Sequence, residues 1–92
     1  MKVTRVSMIL FSNNGNYSSR TRAMCKIVLE DVLAIHGVRV LEGDDGFYVV
    51  MPQRRLTDGS YKDVAHPLDE DFRKYISHEV LKEYERMLGE SL

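Results

Sequence analysis

Val6, Met8 and Leu10 fall on one side of an alternating run at residues 3–11, the two-residue period of a strand. Asn13-Asn14-Gly15-Asn16 follow, residues that tolerate positive φ, and predict a turn into a loop through Tyr17, Ser18, Ser19 and Arg20. A second strand at residues 22–29 sets Ala23, Cys25, Ile27 and Leu29 on one face and Met24, Lys26 and Val28 on the other. Glu30-Asp31 breaks it, and a third extended piece begins at residues 32–35, with a bulge or bend at His36-Gly37. From Asp69 the period changes. Phe72, Ile76, Val80, Tyr84 and Met87 form one stripe of an amphipathic helix of about 19 residues, capped by Asp69 and stopped by Gly89. Glu70 and Asp71 in its first turn suit the positive end of the helix dipole.

Between these elements the pattern predicts two hairpins. Residues 38–42 return as 47–51 through Gly43-Asp44-Asp45-Gly46, with 42 opposite 47. Val38, Val40, Phe47, Val49 and Met51 then share one face, and Arg39, Leu41, Tyr48 and Val50 the other. Two largely apolar faces are unusual for an antiparallel sheet with one side in water, so the second face is expected to be covered, with another subunit as a candidate. Pro52 has no N–H to give a ladder and ends the pairing or marks an edge. A second ribbon, residues 53–56 returning as 61–64, turns at Thr57-Asp58-Gly59-Ser60. Pairing 57 with 60 sets Arg54 against Asp63 and Arg55 against Lys62.

Like charges directly opposed cost a few tenths to about 1 kcal/mol, so an Arg55/Lys62 pair points to an anionic partner. Tyr61 beside it suits stacking on a base, and Arg39, Lys26, Arg20 and Arg22 are candidates to extend the patch. The same cations also suit an edge ribbon charged against aggregation. Arg73 and Lys74 open the helix beside His66-Pro67; cations prefer the other helix end, so they extend the basic track or simply face solvent.

The 92 residues are expected to form one domain, residues 1–92, whose thin core a partner subunit would help to complete. Thirteen Lys/Arg against fourteen Asp/Glu give a net charge of −1, on its face unlike a dedicated nucleic-acid protein. The distribution alters this. Residues 1–68 carry nine basic and seven acidic side chains, and residues 69–92 four and seven, so the basic excess belongs to the strands. No apolar run approaches the roughly 20 residues of a membrane helix, and the first residues lack a secretory signal pattern, which leads to the expectation of a cytoplasmic protein off the membrane.

Catalytic chemistry finds little support. His36, His66 and His78 lie in separate elements without metal-ligand spacing, and Cys25 is alone. There is no G-x-S-x-G, phosphate loop or H-E-x-x-H, and the Gly43–Gly46 turn lacks a calcium-loop pattern. His66 before Pro67 reads as a hydrogen bond to backbone at a turn. The expectation is no enzyme, metal, cofactor or small-molecule substrate.

Val38-Arg39-Val40, Gly43, Val50-Met51-Pro52, Arg54-Arg55, Asp58-Gly59, Asp63-Val64-Ala65-His66-Pro67 and Glu83-Tyr84 occur in an order and spacing that resembles the SpoVG family, the stage V sporulation protein G or septation regulators. The resemblance implies an α+β fold, an antiparallel sheet with one C-terminal helix, assembled as a homodimer. It further implies a regulator of division septum formation and sporulation that binds DNA or RNA. Its basic pair falls on Arg54 and Arg55, and its segment before the helix on residues 65–69, His66 included. Lys62, Tyr61, Arg73 and Lys74 complete the expected interface. Residues 13–20 look longer than in that family, and the chain stops at Leu92 without the family's acidic extension. A competing reading is a protein-binding adaptor of the septation machinery that uses the two-faced sheet or an exposed edge strand.

Overall fold

A computed structural model of the protein describes residues 1–11 and 20–91. The predicted loop at residues 13–20 lies, apart from Arg20, outside the described residues. The elements are β1 (Val3–Leu10), β2 (Thr21–Leu29), β3 (Leu33–Gly43), β4 (Gly46–Val50), β5 (Gln53–Arg55), β6 (Tyr61–Asp63) and α1 (Glu70–Ser91). Strands β1 to β4 form an antiparallel meander in chain order, and β5 and β6 a separate two-stranded ribbon. This is the expected α+β arrangement, an antiparallel sheet with hairpins and a C-terminal helix.

The alternation in β2 and β3 decides which face is buried. Ala23, Cys25, Ile27 and Leu29 point inward with Val38 and Val40, against Ile76, Val80 and Tyr84 of the helix stripe. The helix also ties the two outer strands. The Val3 N–H donates to the Tyr75 hydroxyl at 2.9 Å, and Phe47 on β4 meets Tyr84 at a ring-centroid distance of 5.1 Å. Burial pushes the Cys25 thiol up to about 11, so it is a neutral apolar filler at physiological pH.

Asp69 caps α1 as predicted, its Oδ2 accepting from the Phe72 N–H at 2.9 Å. Gly89 does not stop the helix, which runs to Ser91. One glycine costs a helix only about 1 kcal/mol relative to alanine, too little to fix where a last turn ends.

The bulge predicted at His36-Gly37 is present. Cys25 pairs with Val38 and Lys26 with His36, leaving Gly37 as the extra residue at φ 85°. Gly37→Ala places a side chain in a left-handed conformation and is expected to cost about 1–3 kcal/mol. A denaturant titration should show a lower midpoint at an unchanged slope. The β2–β3 turn carries positive φ at Glu30 and Asp31 without any glycine. Hydrogen bonds offset that strain: the Glu30 N–H donates to the Lys2 carbonyl, and the Asp31 N–H to Thr4 Oγ1.

Among the described residues, the face of the sheet opposite the helix is left largely open. Ile9, Met24 and Tyr48 are 70%, 38% and 45% exposed there, and the ribbon borders only one corner, near Met24 and Arg39.

Candidate nucleic-acid interface

The ribbon begins where Pro52 interrupts the sheet. Its carbonyl accepts from the Val64 N–H at 2.7 Å and anchors the base of the arm. At the tip, the Gly59 N–H donates to the Leu56 carbonyl and the Leu56 N–H to the Ser60 carbonyl. Thr57 and Asp58 are therefore the centre of a tight turn and Gly59, at φ 90°, the left-handed residue that follows. Asp58 Oδ1 accepts from the Ser60 Oγ–H at 2.6 Å and the Ser60 N–H at 2.9 Å, which holds its carboxyl below the usual carboxylate range.

This three-residue turn corrects the expected register by one position. Arg54 stands opposite Lys62, Arg55 opposite Tyr61, and Gln53 opposite Asp63. The predicted Arg54/Asp63 neutralisation does not occur; Asp63 Oδ1 instead accepts from Gln53 Nε2 at 3.0 Å. Like charges remain directly opposed, but the pair is Arg54/Lys62 rather than Arg55/Lys62. Arg54, Arg55, Tyr61 and Lys62 are all exposed. Among the described residues, no carboxylate lies within ion-pair distance of any of the three cations.

Because pairs across a strand share a face, the ribbon has two chemically distinct sides. One carries Arg54 and Lys62, the other Gln53, Arg55, Tyr61 and Asp63. The second side continues onto the uncovered face of the sheet. Arg39 links them, its guanidinium donating to Thr21 Oγ1 at 3.3 Å and Gln53 Oε1 at 3.4 Å. Gln53 was not singled out from the sequence; counting a three-residue turn there would have put it opposite Asp63, but nothing local signals its approach to Arg39 on the other sheet.

Other expected members of the site sit elsewhere. Arg20 is 3.6 Å from Asp44 and Arg22 3.0 Å from Glu42, so both are engaged by the β3–β4 hairpin rather than mobile extensions of the patch. Lys26 pairs across the strands with His36 on the uncovered face. Arg73 and Lys74 lie on the helix side of the sheet. The helix packs on β1, β2 and β4 and makes no comparable contact with the ribbon, so it does not bring these cations against Arg54 or Lys62. His66 donates from Nδ1 to the Pro67 carbonyl at 3.1 Å, the turn hydrogen bond expected of it. Residues 65–69 line an open apolar groove with Leu29, Ile35, Met51, Phe72 and Ile76, where Leu68 is 95% exposed.

Among the described residues no group of three or more His, Cys, Asp or Glu is placed to hold a metal ion, and no helix is long and apolar enough to cross a membrane. The site is a thin, cationic arm with an aromatic ring and hydrogen-bonding amides.

The chain is 39% identical over 85 residues to the "Putative septation protein SpoVG" of Staphylococcus carnosus, covering 92% of this chain and 76% of that one. It is 38% identical over 87 residues to the protein of that name in Staphylococcus aureus strain MRSA252, covering 95% and 83% of the two chains. A "Putative septation protein SpoVG 2" of Listeria monocytogenes is 39% identical over 87 residues, with 95% and 81% covered. The family profile described as SpoVG matches residues 1–86, a span that takes in the sheet, the basic ribbon and most of the helix. The chain belongs to the SpoVG family.

Proposed function

We propose that this protein is a homodimeric DNA- or RNA-binding regulator of division septum formation and sporulation that works by binding without chemistry. The observation that carries the proposal is the ribbon: three exposed cations free of carboxylate partners among the described residues, two of them directly opposed. An arm that keeps Arg54 against Lys62 is destabilised alone and relieved by a polyanion. In this reading Arg54, Arg55 and Lys62 neutralise phosphates, Tyr61 stacks on a base, and Arg73 and Lys74 extend the track along the helix side. Residues 65–69, His66 among them, tune which sequence is preferred. The septation role follows the names of the relatives. Apolar side chains left in water, Val32, Leu33 and Leu68 among them, give a second copy surface to bury, so that two ribbons form one basic track.

Binding to a mixed-sequence duplex titrated against salt tests both parts. Six phosphate contacts from Arg54, Arg55 and Lys62 of two subunits give a slope of about −5 in log K against log salt, rising to about −9 where Arg73 and Lys74 add four more, and a single subunit gives about half that. A protein-binding adaptor gives no binding to analyse, and that outcome discards the proposal.

A further inference from the structure

Where the ribbon borders the uncovered face of the sheet, Met24, Gly37, Arg39, Pro52, Gln53 and Tyr61 enclose an open pocket of about 280 Å³. It lies just below the roughly 300 Å³ at which pockets for drug-sized ligands begin, so it suits one flat ring rather than an extended molecule. Its walls are of three kinds. Tyr61 is 64% exposed and offers an aromatic surface, while Met24, 38% exposed, adds a polarisable apolar contact. Arg39 supplies a planar guanidinium with five donors, two of them engaged by Thr21 and Gln53 at 3.3 and 3.4 Å. Those bonds fix the guanidinium and leave donor capacity to spare. Gln53 is itself oriented, its amide donating to Asp63.

The floor is kept open by a backbone feature. A side chain at Gly37 would start 3.4 Å from Pro52 Cβ, within the rim of the pocket. The sheet side of the pocket is cationic: Lys26 and Arg39 share this face, and the register of β2, β3 and β4 puts no carboxylate among its outward positions, while the ribbon side carries the Asp63 carboxylate next to Gln53. Asp63 is held by Gln53 and does not line the pocket. A stacking ring, a fixed donor and a cationic flank match a nucleobase next to its phosphate. They do not match an apolar peptide, which would leave the guanidinium unpaired.

We infer that this pocket is a subsite for one unstacked nucleobase, with Tyr61 as the stacking surface and Arg39 donating to the base's carbonyl edge. The inference rests on the nucleic-acid reading above and deepens it: phosphates are met along the ribbon, and a base is taken only where the strand is single. A duplex, whose bases are already stacked, leaves the pocket empty.

The test compares three ligands on the full chain: a thymidine 12-mer, the same sugar-phosphate backbone without bases, and a 12-base-pair duplex. The wild-type protein is expected to bind the thymidine strand about 10-fold tighter than the base-free backbone, within the range of one base–aromatic stack. Tyr61→Ala should erase that preference, while Tyr61→Phe keeps it. Arg39→Lys, which retains charge but not the planar donors, should reduce it as well. Thermal melts confirm that each variant is folded. Equal wild-type affinity for the thymidine and base-free strands, or a preference that survives Tyr61→Ala, overturns the subsite while leaving the phosphate-binding ribbon standing. No salt-dependent binding to any of the three overturns the nucleic-acid reading itself.

Discussion

Replacing Arg54, Arg55 and Lys62 together by alanine is expected to weaken duplex binding at low salt by about 100-fold or more and to flatten the salt slope by about 5, as six phosphate contacts per dimer disappear. The fold should survive. All three side chains are exposed, and the ribbon is held by backbone pairing and by the Asp58–Ser60 turn, which the substitutions leave alone. Removing the opposed Arg54/Lys62 charges should firm the arm by a few tenths of a kcal/mol. The measurement is fluorescence anisotropy at several salt concentrations beside a thermal melt. A folded triple variant with wild-type affinity and slope removes the ribbon from the interface. The pairwise variants add resolution. Arg54→Ala with Lys62→Ala strips one side of the arm, and Arg55→Ala the other, so their relative losses report which side meets the backbone.

Val80→Asp should abolish folding. Val80 is fully buried in the core between the helix stripe and the sheet, and among the described residues no polar or charged residue is buried there to receive a carboxylate. An unpaired charge there costs several kcal/mol. A 92-residue domain has only about 5–14 kcal/mol to lose. The helix, the main cover of the sheet's inner face, would detach. Far-ultraviolet circular dichroism through a guanidinium titration is the check. A cooperative transition at the wild-type midpoint would show that the helix contributes far less than its packing indicates.

Much of this architecture was legible because period and burial agree. The stripe of Phe72, Ile76, Val80, Tyr84 and Met87 is the helix face that packs inward, and the 42/47 register of the β3–β4 hairpin follows from its two-residue Asp44-Asp45 loop. Gly37 declared its bulge for the steric reason that only glycine sits there without strain.

The ribbon was harder for an equally physical reason. Asp-Gly occurs in both hairpins, but Gly46 pairs with Gly43 inside the ladder, whereas Gly59 belongs to the loop. Dipeptide identity does not distinguish the two; the number of residues spanned by the closing hydrogen bonds does. The site was legible as a set of exposed cations and not as a geometry. Arg20 and Arg22 looked like extensions of it because nothing local to them signals Asp44 and Glu42, which approach only when β2 and β3 align.

That a single loop position sets which side chains stand together gives the arm an unusual lever for divergence. Relatives with identical residues could exchange the chemistry of its two surfaces by gaining or losing one residue at the tip, since a strand shifted by one inverts all of its side chains. Binding preference in such proteins would then be written in spacing rather than composition, invisible to any comparison that counts matching letters alone.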